Sequence, residues 1–139
     1  MSHKVLPLDE RGYGLLVERT VVGARRLHAA LRDADLGECR IVLLPEPDIN
    51  IVCYVVTRPG LDGLQALNDL NEGIYERMSI TRPGASPEYI ITRTRFQTPM
   101  YDGAVDHLLG ELAIDADAWH DSAAEGLVVL RSTVMDPFL

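Results

Sequence analysis

The sequence has 139 residues, which suits one domain and is too short for two of ordinary size. Its composition, 47% hydrophobic and 24% charged, excludes a wholly disordered chain, a collagen and a coiled coil. Thirteen lysines and arginines against 21 acidic residues give a formal net charge of −8, which argues against a nucleic-acid partner and against an anionic membrane surface.

Lysine and cysteine are both rare in the sequence. Lys4 is the only lysine, and Cys39 and Cys53 are the only cysteines. Two cysteines without a CxxC spacing indicate reduced thiols rather than a zinc site or a disulfide framework.

Residues 1–10 do not resemble a signal peptide, and no apolar run approaches the roughly 20 residues that cross a bilayer. These features predict a cytoplasmic protein without a membrane partner.

The first half of the chain contains two helical and two extended patterns. Apolar residues at helical spacing predict a helix over 12–32. Two strands are predicted next, a short one over 41–44 and a β-branched central one over 49–56. A second amphipathic helix is predicted over 61–78, with a single core-facing stripe. The residues assigned to the polar remainder of that helix include Asn68, Asn71 and Glu72.

The second half contains two further strands and one further helix. Alternation over Tyr89–Phe96 predicts a strand that exposes Arg93 and Arg95 to water. Asp102 is predicted to cap a helix that ends near Leu112, and the acidic stretch after it is expected to be irregular. The apolar run over 127–135 predicts the last strand.

This order of elements predicts an α+β fold. We expect a two-layer sandwich in which a mainly antiparallel four-stranded sheet carries helices on one face. Residues 1–10 are expected to be an N-terminal segment, and residues 11–139 a single small domain.

The sequence offers few groups for catalysis. A metal site is conceivable within a histidine and carboxylate cluster, but the spacing matches no known metal motif and favours an acidic surface with incidental histidines. The members of this cluster are His107, Glu111, Asp115, Asp117, His120 and Asp121. Neither a G-x-S-x-G nucleophile motif nor a glycine-rich phosphate loop is present. We therefore assign no catalytic residue and no metal ligand.

Arg131 is the most informative charge because it interrupts the last apolar strand. A cation at that position destabilises the fold unless its guanidinium reaches water or pairs with an anion. One hypothesis makes Arg131 a site for a substrate carboxylate, and the other pairs it with one of the 21 carboxylates of the chain.

His3 and Lys4 form a pair seen in many pyridoxal phosphate sites, although a frayed terminus explains them more simply.

Four segments in succession resemble one family. They are PDINIVCYVV (Pro47–Val56), LNDLNEGIYERM (Leu67–Met78), YIITRTRF (Tyr89–Phe96) and VVLRSTVMDP (Val128–Pro137). Their order resembles the C-terminal small domain of the group II pyridoxal-phosphate-dependent decarboxylases, which include the glutamate, aromatic amino-acid and diaminobutyrate decarboxylases. Residues 10–31 resemble the long helix that enters that domain. The resemblance implies an aspartate-aminotransferase-like small domain.

The resemblance also implies a function. Enzymes of this family are dimers whose large domain holds pyridoxal phosphate on a lysine, and the segments that do so are not in this sequence. It therefore implies a large cofactor-binding domain or chain as a partner, a homo-oligomer, and no cofactor-binding residue here. Arg131 falls where glutamate decarboxylases place an arginine that contacts the substrate carboxylate.

Two functions remain open at this point. The first is a fragment or split half of an amino-acid decarboxylase-like lyase, inactive alone, that contributes domain packing and a substrate contact. The alternative is a stand-alone, non-catalytic binding or dimerisation module.

Overall fold

The computed structural model describes residues 9–80, 83–84, 91–120 and 125–136. These residues form four helices and four strands. In chain order the elements are α1 (Tyr13–Asp33), β1 (Arg40–Leu43), β2 (Ile51–Thr57), α2 (Gly63–Met78), β3 (Thr92–Phe96), α3 (Asp106–Glu111), α4 (Ala116–His120) and β4 (Leu127–Thr133). Tyr89 and Ile90, which the sequence assigns to the third strand, lie outside the described residues.

The strands form one sheet in the order β1-β2-β4-β3, and every neighbouring pair is antiparallel. The predicted α+β class and antiparallel four-stranded sheet are therefore confirmed. β4 lies between β2 and β3, and its residues from Leu127 to Leu130 are fully buried. A strand enclosed on both faces needs consecutive apolar residues, which explains the uninterrupted run in the sequence.

The long helix α1 and the later part of α2 cover one face of the sheet. Ala24 of α1 is fully buried in the cluster that contains Val52 and Tyr54 of β2 and Leu130 of β4. Leu27 and Leu31 of α1 and Leu70 and Ile74 of α2 pack around the same cluster. Fully burying one such aliphatic side chain stabilises a fold by about 1.5–3 kcal/mol, so this face anchors both helices.

Short helices cover part of the opposite face. Leu108 and Leu109 of α3 and Trp119 of α4 pack with Val129 of β4 and Val55 of β2. Leu64 and Leu67, at the start of α2, also belong to this second cluster. The long helices thus form the predicted helical layer of the sandwich, and α3 and α4 add a partial third layer. The helix α4 falls in the stretch that the sequence indicated as irregular, because five residues are too few to show a helical period.

Two asparagines of α2 lie in the protein interior, which corrects their predicted place on a polar surface. Asn68 is 1% exposed and Asn71 is fully buried. The pairing of β2 with β4 ends at Tyr54 and Leu130, and beyond that point the backbone of each strand lacks a neighbour on one side. The two asparagines occupy this gap. Asn71 bonds to Val56 of β2, and Asn68 bonds to Val128 of β4.

Two further expectations need correction. Arg93 and Arg95 face α2, where Arg93 Nε and Arg95 Nη2 lie 2.7 Å and 3.0 Å from the Glu72 carboxylate. Arg93 is exposed as expected, but both arginines are ion-pair partners of a helix rather than free in solvent. Asp102 does not cap α3, which begins at Asp106, and it instead accepts a hydrogen bond from Trp119 Nε1 at 2.7 Å.

None of the described helices combines the length and the apolar character needed to cross a bilayer.

Candidate functional site

Arg131 lies near the end of β4, in the middle of the sheet. It stands opposite Cys53 of β2 and Thr92 of β3 in the two ladders. The Thr92 hydroxyl donates to the Arg131 carbonyl oxygen at 3.3 Å, which adds a side-chain bond to the edge ladder. Because side chains alternate across a sheet, Arg131 shares a face with Val129 and Cys53, at the point where the α3 and α4 layer ends. The Arg131 side chain is partly exposed there.

The charge of Arg131 acts on Cys53. Burial raises the pKa of the Cys53 thiol, and the positive charge of Arg131 offsets part of that rise. Within the part of the chain that the structure describes, no carboxylate forms an ion pair with Arg131. The internal ion pair that the sequence left open as an alternative is thus not found among these residues. A guanidinium in this setting can bind an external carboxylate through two parallel hydrogen bonds.

A groove runs along the other face of β4, between α1 and the end of α2. Its volume is about 890 Å³, and its lining is mostly apolar, with Leu27, Met78 and Val134 among the lining residues. Its polar lining includes Arg26 and Arg131, together with Tyr54 and Ser132, whose hydroxyl groups share a hydrogen bond of 2.9 Å. Burial raises the pKa of Tyr54, so this phenol stays neutral at physiological pH.

The histidine and carboxylate cluster does not assemble into one site. His107 Nδ1 lies 3.2 Å from Glu111 Oε1 on α3, with the histidine side chain 84% exposed. His120 instead shares a hydrogen bond of 3.1 Å with Thr98 and lies 3.9 Å from Asp102. Asp121 lies outside the described residues. Across the described ranges, no three histidine, cysteine or acidic side chains come together as metal ligands.

No cofactor site can be built from the described residues. Pyridoxal phosphate enzymes bind the cofactor through a lysine amine. Lys4, the only lysine, and His3 both lie outside the described residues, which include no other candidate amine. The described residues therefore do not fit a complete pyridoxal phosphate site.

The neighbours of Arg131 could not be identified from the sequence. Cys53 is 78 residues from Arg131 in the chain, and only the register of β2 against β4 brings the two together. Thr92 is on a third strand, and its place depends on β3 joining the sheet beside β4. The one sequence signal for the site is a charge inside an apolar strand, and that signal pointed to Arg131 alone.

Comparison with known proteins identifies the family. Residues 23–139 match the family described as tyrosine decarboxylase, C-terminal. The chain is 31% identical to an L-tyrosine decarboxylase of Enterococcus faecalis over 143 aligned positions, which cover 99% of this chain and 23% of that enzyme. It is 30% identical to an L-tyrosine decarboxylase of Levilactobacillus brevis, with 99% of this chain and 22% of the enzyme covered.

The chain thus spans less than a quarter of the length of these curated relatives. The match supports the expected resemblance to the C-terminal domain of group II decarboxylases, and it covers the whole sheet, α2 and the residues around Arg131. The chain belongs to the family of tyrosine decarboxylase C-terminal domains.

Proposed function

We propose that this chain is the C-terminal domain of a pyridoxal-phosphate-dependent decarboxylase of tyrosine or a related aromatic amino acid. Its role is to pack against the cofactor-binding part of the enzyme and to present Arg131 to the carboxylate of the substrate. The substrate class follows from the L-tyrosine decarboxylases that it resembles. Pyridoxal phosphate belongs to the part of the enzyme outside this chain, so we expect the chain to be inactive alone.

The observation that carries this proposal is that Arg131 forms no ion pair with any of the described residues. A partly buried guanidinium without an anionic partner has lost hydration without gaining an ion pair, which is unfavourable for the isolated domain. Its neighbour Cys53 is half-buried and uncharged at neutral pH, because burial raises the pKa of its thiol. A carboxylate that approached this face would therefore meet one cation and no competing anion among the described neighbours.

The proposal is tested in a joined enzyme, the L-tyrosine decarboxylase of Enterococcus faecalis with its matching segment exchanged for these 139 residues. Hydrogen bonds to a charged group contribute about 1.5–3 kcal/mol, so Arg131→Ala should raise KM for tyrosine by about ten- to a hundredfold. Arg131→Lys keeps the charge and should recover part of that loss. Arg58→Ala, which removes an exposed arginine from the turn after β2, is the matched control.

Unchanged kinetics in Arg131→Ala, or an equal effect of Arg58→Ala, would remove Arg131 from the substrate site. The isolated chain, mixed with pyridoxal phosphate and tyrosine, should release no carbon dioxide above the rate without protein. Release that depends on the isolated chain would contradict its role as a non-catalytic part.

A further inference from the structure

The apolar stripe of α1 is covered over only half of its length. In the second half of the helix, Ala24 is fully buried and Leu27 and Leu31 pack into the core. The same stripe continues at helical spacing through Tyr13 and Val17 in the first half, where these residues are 48% and 60% exposed. The sequence therefore provides a packing surface along the whole helix, and this domain uses only the later part of it.

The helix leaves the sheet at Gly23, which lies against the Val134 side chain after the end of β4. Beyond that point, Arg25 donates to the Pro47 carbonyl oxygen at 3.4 Å and His28 donates to the Leu44 carbonyl oxygen at 2.9 Å. Residues 13–22 precede this contact and span about 15 Å, at about 1.5 Å per residue. Apart from the partly buried Leu16, Thr20 and Val21, the residues of this half of α1 are exposed.

Other exposed apolar side chains lie at the same end of the sheet. Met135 is 79% exposed and follows Val134, whose N–H donates to the Asn50 carbonyl oxygen at 2.8 Å. Ile49, 58% exposed, precedes that asparagine, and Ile80, 63% exposed, follows the end of α2. We name this surface the open end, defined by Tyr13, Val17, Val22, Ile49, Ile80 and Met135. Among the described residues, Leu36 is an exposed apolar side chain at the opposite end, after α1.

The open end continues into the groove beside β4. Gly23, Val134 and Met135 line that groove, so the groove begins where the uncovered stripe of α1 ends. Single exposed apolar residues are common, but a contiguous apolar surface at one end of a small domain marks an interaction site. Arg131 lies on β4 three residues before Val134 and is itself one of the residues that line the groove, although strand alternation assigns its side chain to the face of Cys53.

The comparisons indicate what covers the open end. The domain match begins at residue 23, where α1 meets the sheet, whereas the alignments to whole decarboxylases include nearly the entire chain. Residues 13–22 are thus outside the domain match and inside the longer enzymes, of which at least three quarters lies outside the aligned segment. We propose that the open end docks on the cofactor-binding part of the decarboxylase and places Arg131 at the junction of the two. This inference rests on the proposed function.

Hydrogen exchange followed by mass spectrometry tests the inference in two proteins, the isolated 139-residue chain and the joined enzyme. Docking should slow backbone exchange over residues 13–22 by about tenfold or more in the joined enzyme, because a covered helix opens less often. Exchange around Leu36 should be the same in both proteins. Equal exchange over 13–22 in both proteins would overturn the inference, whether or not the joined enzyme is active.

Activity separates this inference from the proposed function. A joined enzyme that protects residues 13–22 and does not decarboxylate tyrosine keeps the docking surface and contradicts the proposed function. An active joined enzyme without that protection contradicts the docking surface alone.

A second copy of this chain is the competing occupant, and the isolated chain tests it. We expect sedimentation of the isolated chain to be unchanged by Val17→Asp, with Leu36→Asp as the matched control. A dimer that Val17→Asp dissociates and Leu36→Asp does not would assign the open end to self-association and overturn docking on the cofactor-binding part.

The same pair of variants tests the surface if the joined enzyme fails to fold. Binding of the dye bis-ANS to the isolated chain should fall in Val17→Asp and not in Leu36→Asp, and equal binding would contradict an apolar open end.

Discussion

Asn71 binds both backbone groups of Val56. Its side-chain oxygen accepts the Val56 N–H at 2.9 Å, and its amide nitrogen donates to the Val56 carbonyl oxygen at 2.9 Å. Asn68, three residues earlier, binds the start of β4 in a similar way. It accepts from Val128 N–H at 2.9 Å and donates to the carbonyl oxygen of Gly126, just before β4, at 2.7 Å. One turn of α2 thus completes the hydrogen bonding of two strands at the point where they separate.

Asn71→Ala should destabilise the fold strongly. It leaves the N–H and the carbonyl oxygen of Val56 buried without their partner, and an unsatisfied buried group costs about 1–3 kcal/mol. We expect the free energy of unfolding to fall by about 2–4 kcal/mol in urea titrations. Glu76→Ala on the exposed side of the same helix is the control and should stay within about 0.5 kcal/mol of the parent. Equal effects of the two substitutions would contradict the role of Asn71.

Gly126 and Gly73 should respond to alanine in opposite directions. Gly126 has φ +94°, and a Cβ there would overlap the Phe96 carbonyl oxygen. Gly126→Ala should therefore lower the free energy of unfolding by about 2 kcal/mol or more, since it adds a clash to backbone strain. Gly73, within α2, has no atom within 4 Å of an added Cβ, so Gly73→Ala should raise stability by about 0.5–1 kcal/mol. Thermal unfolding of both variants checks the contrast, and a destabilised Gly73→Ala would contradict it.

The elements that the sequence predicted most directly are those with long apolar runs or stripes. β2 and β4 were predictable because β-branched runs enclosed on both faces are unusual outside a sheet interior. The later half of α1 was predictable for the same kind of reason, since its stripe matches one buried face.

The polar interior was not predictable because it depends on tertiary geometry. Asn68 and Asn71 lie four residues after Leu64 and Leu67, on the buried side of α2, but a polar amide at such a position gives no sign of the partner it will bind. Their partners are backbone groups that become available only because β2 diverges from β4. Glu72 is similar, because its two arginine partners come from β3, more than 20 residues away. At the candidate site, periodicity identified Arg131 as an anomaly, but the strand register decided that Cys53 is its neighbour.

Asp102 should make stability depend on acid pH. The hydrogen bond from Trp119 lowers the pKa of the Asp102 carboxyl in the folded chain, with smaller contributions from the Thr98 hydroxyl and the His120 charge. A carboxyl with a lower pKa in the folded chain stabilises it above the pKa of the unfolded chain, and this contribution is lost as the pH falls through the folded value. Asp102→Asn keeps an acceptor for Trp119 and removes the charge.

The variant should therefore be less stable than the parent at about pH 7, and the difference should disappear near pH 2. Urea unfolding followed by Trp119 fluorescence measures it, since Trp119 is the only tryptophan. Asp48→Asn, which removes an exposed carboxylate outside this cluster, should show a smaller difference. A difference that stays constant from pH 7 to pH 2 would rule out the charge of Asp102 as its source.

The reactivity of Cys53 should report the position of the Arg131 guanidinium. Burial raises the pKa of the Cys53 thiol, and the charge of Arg131 lowers it in part. Arg131→Gln removes that charge, so the pKa should rise further and the thiolate, the species that reacts with disulfide reagents, should become scarcer at a given pH. The measurement is the midpoint of the pH profile for modification by DTNB, with Cys39→Ser in every protein so that Cys53 is the only thiol. We expect a higher midpoint in Arg131→Gln and an unchanged one in Arg58→Gln. A midpoint that stays in place or moves down in Arg131→Gln would mean that the guanidinium does not face Cys53, and the carboxylate site proposed on that face would lose its geometric basis.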